Sequence, residues 1–261
     1  MRGDGDAAAR DRWARRARSF GTQAAIYAEH RPDYAAAAIR WALEPVGAIE
    51  APAVLDLGAG TGKLTDGLLA VGAEPVAVEP DASMRAEFVR RHPAVTMLAG
   101  TAEEIPLPDD SVDAVVAGQA FHWFEQARAF PEIARVLRPG GVFAAFWNIE
   151  DGTVEWVAGL QRVARSPASM PAPPADEPLP GHPLFVPFEK AVFAHAQRRT
   201  ADSLVETIGT HSHTVVIPAD QRAALLGRIG DYLRGRPETA TGEFDYPLHT
   251  EVIRAVGVRV G

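Results

Sequence analysis

Apolar positions along the chain follow two alternating rhythms. Short runs, Ala53 to Leu57, Pro75 to Val78, Val95 to Leu98, Val112 to Ala117 and Gly141 to Trp147, have the length of buried strands. Between them, apolar residues recur every three or four positions: Leu64, Leu68 and Val71; Met84 and Phe88; Phe130, Ala134 and Leu137. Each set marks one face of a helix. Strands alternating with crossover helices predict an α/β fold with a mostly parallel sheet covered on both faces. The punctuation agrees, because Asp81 stands where an N-cap is needed, His92-Pro93 closes one helix, and Arg138-Pro139-Gly140-Gly141 closes another.

On either side the pattern changes. Pro32 to Leu43 reads as an alanine-rich helix with Ala35, Ile39, Ala42 and Leu43 on one face. Beyond Trp147 a short amphipathic helix carries Trp156, Leu160 and Val163, and the proline-rich stretch Ser166 to Pro187 reads as an irregular insertion over the active site. The remainder reads as a strand over Ala191 to Ala196, helices near Ser203 to Ile208 and Ala219 to Leu233, a strandlike Val215 to Ile217, and a last strand from His249 to Val256. The expected organisation is one domain: an N-terminal helical cover over 1–45, a core over 46–150, a cap over 151–190, and 191–261 completing the sheet.

Composition narrows the function. The 261 residues are 47% apolar and 23% charged, enough for one sizeable core. A formal charge of −8 argues against nucleic acid, whose phosphates are bound by lysine and arginine. With no cysteine, disulfides, thiolate metal sites and a cysteine nucleophile are excluded. The first twenty residues lack the apolar centre of a secretory signal. No apolar run reaches the roughly 18 to 20 residues that cross a bilayer. The expectation is a cytoplasmic protein without membrane partners, monomeric or homodimeric.

The chemistry concentrates at strand ends. In Val54-Leu55-Asp56-Leu57-Gly58-Ala59-Gly60-Thr61-Gly62 an apolar strand ends in an acid, and glycines follow at every second position. Glycines let backbone approach a ligand closely, and the next helix offers unpaired N–H groups at its positive end. A dinucleotide site of the G-x-G-x-x-G type would place its third glycine at position 63, which is Lys63 here. The second strand ends in Glu79, whose carboxylate can accept two hydrogen bonds from ribose hydroxyls.

This glycine register resembles motif I of class I S-adenosylmethionine-dependent methyltransferases, and Glu79-Pro80-Asp81-Ala82-Ser83-Met84 is similar to their motif II. The resemblance implies a Rossmann-like doubly wound seven-stranded sheet with an antiparallel last strand. It implies S-adenosylmethionine as cofactor, S-adenosylhomocysteine as product and a small-molecule methyl acceptor as partner. By it Asp56, Gly58, Ala59, Gly60 and Gly62 hold the methionine part, Glu79 and Pro80 border the ribose, and Met84 lies on the adenine face. Thr101 and Ala102, in the loop after the third strand, are implied at the adenine edge, although many relatives carry an acid where Thr101 stands.

Gln119-Ala120-Phe121-His122-Trp123-Phe124 resembles the QAxHWF signature of a subgroup containing trans-aconitate methyltransferase. Following the fourth strand, it should face the transferred methyl group, with Gln119 and Ala120 toward the cofactor and Trp123, Trp147 and Asn148 lining the acceptor pocket. His122 is its one neutral-pH base and serves either proton transfer or a backbone bond at a helix start. Phe20, Tyr27 and Arg31-Pro32-Asp33-Tyr34 resemble the subgroup's F…Y…RPxY lead segment, which folds over the cofactor. Tyr27 and Arg31 then meet the methionine carboxylate, or simply lead into a helix. No metal is expected: His211 and His213 lack an acid at matching spacing. A non-methylating enzyme on this fold, such as a cyclase, and a nicotinamide-dependent oxidoreductase stay open as alternatives.

Overall fold

The computed structural model describes residues 32–169 and 181–258. Seven strands form one sheet in the order β3-β2-β1-β4-β5-β7-β6, with β1 Ala53–Leu57, β2 Glu74–Val78, β3 Thr96–Leu98, β4 Val112–Gly118, β5 Leu137–Glu150, β6 Glu189–Arg199 and β7 Phe244–Val256. The first five run parallel, β1 pairing with both β2 and β4. Just past the end of β7 the Gly257 N–H donates to Gly141 O at 2.9 Å, and at its middle the Thr250 hydroxyl donates to Asn148 Oδ1 at 2.7 Å. β7 therefore runs against β5, as expected for the last strand.

Helices cover both faces, and the period-two alternation of strands divides the core between them. Leu55, Leu57, Val115, Ala117, Phe143 and Ala145 share one apolar cluster with Ala129, Phe130, Ile133 and Val136 of α4 Gln126–Val136. Val54, Ala114, Val116, Val142, Ala144 and Phe146 point the other way. These meet Ala38, Ile39 and Ala42 of α1 Ala36–Leu43 and Leu64 and Leu68 of α2 Lys63–Ala70. α3 Ala82–Arg91 buries Met84 and Phe88, and the Asp81 carboxylate caps it by accepting from the Ser83 and Met84 N–H groups.

Contacts sort the described residues into two compact units. One, 32–149 with 181–195 and 248–258, holds α1 to α4, β1 to β4, nearly all of β5 and the larger parts of β6 and β7. The other, 150–169 with 196–247, is mainly helical: α5 Glu155–Val163, α6 Ala201–Gly209, α7 Ser212–Val215 and α8 Ala219–Arg234. Its core joins Trp156 and Leu160, Leu204 and Ile208, and Leu225, Ile229 and Leu233. The Tyr232 hydroxyl ties α8 to α5 by donating to Trp156 O at 2.9 Å.

Three local expectations are corrected. The first helix begins at Ala36 and not at Pro32, because the Pro32 and Asp33 carbonyls and the Ala35 N–H bond to Asn148 and Thr250 instead. Arg138 to Gly141 does not separate helix from strand: α4 already ends at Val136, and these residues bulge within β5, whose pairing jumps from Val112↔Leu137 to Ala114↔Val142. Val215 to Ile217 forms no strand, because the Thr214 and Val215 N–H groups both donate to His211 O and close a helical turn instead.

Candidate active site

The carboxyl ends of β1, β2 and β4 meet around the glycine loop. Gly58, Gly60 and Gly62 take left-handed φ angles of 72°, 57° and 92°, which side-chain-bearing residues rarely adopt. The Gly58 and Ala59 N–H groups donate to Val78 O, binding the loop to β2. A Cβ at Gly60 would meet nothing within 4 Å, so the loop opens there, whereas one at Gly62 would strike the imidazole of His92. Arg91 holds the outer side of the loop by donating to Thr61 O at 2.9 Å and pairing with Asp66 at 2.7 Å.

Asp56 is fully buried beneath the loop. Its Oδ2 accepts from the Thr65 hydroxyl at 2.6 Å, and its Oδ1 has no partner. Burial raises its pKa to about 7, against the Thr65 hydrogen bond, which lowers it. Glu79 is also buried; it accepts the Gly60 N–H at Oε2 and the Asp81 N–H at Oε1, both at 2.9 Å. Desolvation likewise raises its pKa. Pro80 is exposed, Met84 and Ala102 are buried, and Thr101 lies exposed in a single bridge to Glu104.

The QAxHWF segment caps β4 directly beside the loop. Gln119 has a left-handed φ of 54°, held by its N–H donating to Phe146 O and its side-chain amide donating to Asn148 O. Strained backbone of this kind persists where the surroundings over-determine it. Ala120 is so close to the loop that a Cβ on Gly58 would stand 2.8 Å from its own. Phe121 anchors a short 3-10 turn, Phe121–Trp123, among Phe124, Phe130, Phe143 and Trp147. That turn carries His122 outward, its ring 4.9 Å from that of Trp123. Desolvation lowers the His122 pKa to about 4; water reaching so exposed a residue weakens that pull, but the direction keeps the ring neutral at pH 7.

Trp147 and Asn148 follow at the end of β5, both partly buried. The Asn148 amide donates to Pro32 O and Asp33 O, and its Oδ1 accepts from Thr250, with His195 Nε2 3.3 Å away. Tyr27 and Arg31 lie outside the described residues. Among the described residues no group of three His, Asp or Glu side chains could hold a metal, and no helix is long and apolar enough to cross a membrane.

Sequence reasoning missed Thr65, Arg91, His92, His195 and Thr250. Thr65 had a usable signal, since a buried strand acid needs a donor and the following helix offers a hydroxyl. The others had none, because basic residues at a helix end and alternating polar strand residues are ordinary.

These residues fit an S-adenosyl ligand. Asp56 Oδ1 and Thr61 Oγ1 are buried without partners, and the loop is open at Gly60. Comparison with known proteins agrees. Residues 55–145 match a family profile described as a methyltransferase domain. An uncharacterized methyltransferase of Mycobacterium tuberculosis is 37% identical, over 91% of this chain and 95% of its own. One of Schizosaccharomyces pombe is 32% identical, over 89% and 94%. A solved structure from Anaeromyxobacter dehalogenans, described as a candidate type II methyltransferase, is 31% identical with a TM-score of 0.60, covering 87% of this chain and 96% of that one. With motif, sheet order and relatives in accord, the chain belongs to the class I S-adenosylmethionine-dependent methyltransferases.

Proposed function

We propose that the protein methylates an oxygen or nitrogen of a small organic acceptor, as a member of the subgroup that contains trans-aconitate methyltransferase. The observation that carries this reading is the contact between Gly58 of the glycine loop and Ala120 of the QAxHWF segment, which sets a cofactor loop beside an aromatic wall bearing a neutral histidine.

S-adenosylmethionine, when bound, supplies an electrophilic methyl group on a good leaving group and becomes S-adenosylhomocysteine. The chain's own work is alignment and exclusion of water. In this reading Asp56, Gly58, Ala59, Gly60, Gly62 and Gln119 hold the amino-acid end, with Tyr27 and Arg31 at its carboxylate. Glu79 and Pro80 border the ribose, Met84, Thr101 and Ala102 frame the adenine, and Ala120 stands toward the cofactor beside Gly58. Met84 suits that place because a polarizable thioether packs well against a ring. Trp123, Trp147 and Asn148 border the acceptor. For a hydroxyl acceptor an unprotonated ring nitrogen of His122 takes the proton; an ionised carboxylate needs no base.

The test is to incubate purified protein with labelled S-adenosylmethionine and pooled metabolites and to weigh the labelled product. A product heavier by one methylene is expected; turnover without that gain revives the cyclase alternative. His122→Ala is expected to lower kcat about 100-fold on a hydroxyl acceptor, with cofactor affinity within about twofold of wild type. Full turnover in that variant removes His122 from the mechanism.

A further inference from the structure

The segment Pro32 to Ala35 has no regular structure, yet it lies across the carboxyl ends of the strands at the site. The Asp33 carboxylate pairs with Lys63, the first residue of α2 and neighbour of Gly62, at 2.9 Å. The Tyr34 ring sits edge-on to Phe146, and a Cβ on Gly118 would meet its hydroxyl at 2.6 Å. The segment therefore touches both the glycine loop and the end of β4.

What holds it there is decided by comparing bonds. Asp33 is 67% exposed, and an ion pair so wet contributes little. Tyr34 only packs. The backbone, by contrast, is held by directional bonds from two other strands. The Asn148 amide nitrogen of β5 donates to Pro32 O at 3.2 Å and Asp33 O at 3.1 Å, and the Ala35 N–H donates to the Thr250 hydroxyl of β7 at 3.1 Å. Thr250 is wholly buried, and its hydrogen goes to Asn148 Oδ1 at 2.7 Å.

His195 of β6 completes the arrangement, its Nε2 3.3 Å from Asn148 Oδ1 and 3.1 Å from Thr250 Oγ1. The amide oxygen can only accept, and the threonine hydrogen is already used. Only the tautomer with hydrogen on Nε2 satisfies the set. Burial and the nearby His249 lower the His195 pKa against the pull of Asp33, so the ring is neutral near pH 7. Each of the three side chains fixes the next, and together they tie three neighbouring strands, β5, β7 and β6, to one loop.

We infer that Asn148, Thr250 and His195 form a latch of positioning residues that holds the 32–35 segment against the glycine loop and thereby sets how tightly the protein retains its cofactor. The latch rests on the cofactor site proposed above but not on the acceptor, so it is tested without turnover. A segment held closed only a tenth of the time lowers apparent affinity about tenfold.

The experiment measures S-adenosylhomocysteine binding by calorimetry for the full chain and for Thr250→Ser, Thr250→Val and Asn148→Asp, with the melting temperature and the hydrogen exchange of residues 33–38 recorded unliganded. Thr250→Ser keeps the hydroxyl and is expected to bind within about twofold of wild type, whereas Thr250→Val and Asn148→Asp bind about tenfold more weakly, with faster exchange over 33–38. Thr250→Val nearly preserves shape, so it decides the matter alone should Asn148→Asp not fold. Wild-type affinity in Thr250→Val overturns the latch, as does a loss in Thr250→Ser equal to that in Thr250→Val. Failure of the wild-type protein to bind S-adenosylhomocysteine has a different meaning: it sinks the cofactor site, and the latch with it.

Discussion

Asp56 is a burden on the fold once it ionises. In the unfolded chain an aspartate ionises near pH 4, but in the folded chain burial delays ionisation to about pH 7. The stability this group lends below pH 4 is therefore withdrawn as pH rises from 4 to 7 and does not return above it. At about 1.4 kcal/mol per unit, the withdrawal is on the order of 4 kcal/mol. Asp56→Asn removes the titration, so the variant is expected to exceed wild type in stability at pH 8 by on the order of 2 kcal/mol, with the advantage fading toward pH 4.5. It should also bind S-adenosylhomocysteine more weakly, the usual cost of stabilising a functional site. Urea denaturation at the two pH values checks this; a pH-independent difference contradicts it. The places of Asp56, Glu79 and the three glycines at strand ends were legible because all of them fall within one short βαβ unit. The latch was not, because Thr250 and Asn148 stand 102 positions apart and nothing local marks either one.

Among elements, the strands were read most easily and their joints least. Periodicity reports which face is buried, and it located β1, β2 and β4 nearly to the residue. It is silent about how a strand begins. Arg138 to Gly141 has the composition of a turn, yet Asp113 on β4 recruits it into β5: the carboxylate accepts from Arg138 at 2.8 Å and from the Ala53 N–H at 2.8 Å. One side chain thus binds the starts of β1, β4 and β5. Asp113→Ala leaves the Ala53 N–H unpaired and is expected to cost about 2 kcal/mol. Asp113→Asn keeps an acceptor for that N–H and gives up only the pair with the half-exposed Arg138, so it should cost under about 1 kcal/mol. Denaturation midpoints separate the two, and equal costs would mean that the ion pair, not the backbone bond, matters. The mistaken strand at Val215 to Ile217 has a related origin: three apolar residues suit either a strand or a helical turn, and local hydrogen bonds chose the turn.

At the scale of the molecule, the two buried acids and the open loop sit at the same end of one sheet, so ligand binding and folding are thermodynamically linked. Asp56 and Glu79 are both held with raised pKa values by desolvation, and both lie where a ligand bearing an ammonium and ribose hydroxyls would meet them. Such a ligand restores what burial removes, and it does so most where the fold is most penalised, above pH 7. Saturation at about 100 times Kd stabilises a protein by about 2.7 kcal/mol, which for a chain of this size raises the melting temperature by very roughly 5 to 10 °C. S-adenosylhomocysteine at a fixed concentration is therefore expected to give a clear upward shift at pH 8 and a smaller one at pH 5.5, where Asp56 is protonated. NADH should give none, because Lys63 stands where its loop requires glycine. Thermal scans with each ligand at both pH values provide the check. A shift with NADH alone would reinstate the nicotinamide alternative, and a shift with S-adenosylhomocysteine of equal size at both pH values would separate cofactor binding from the ionisation of Asp56.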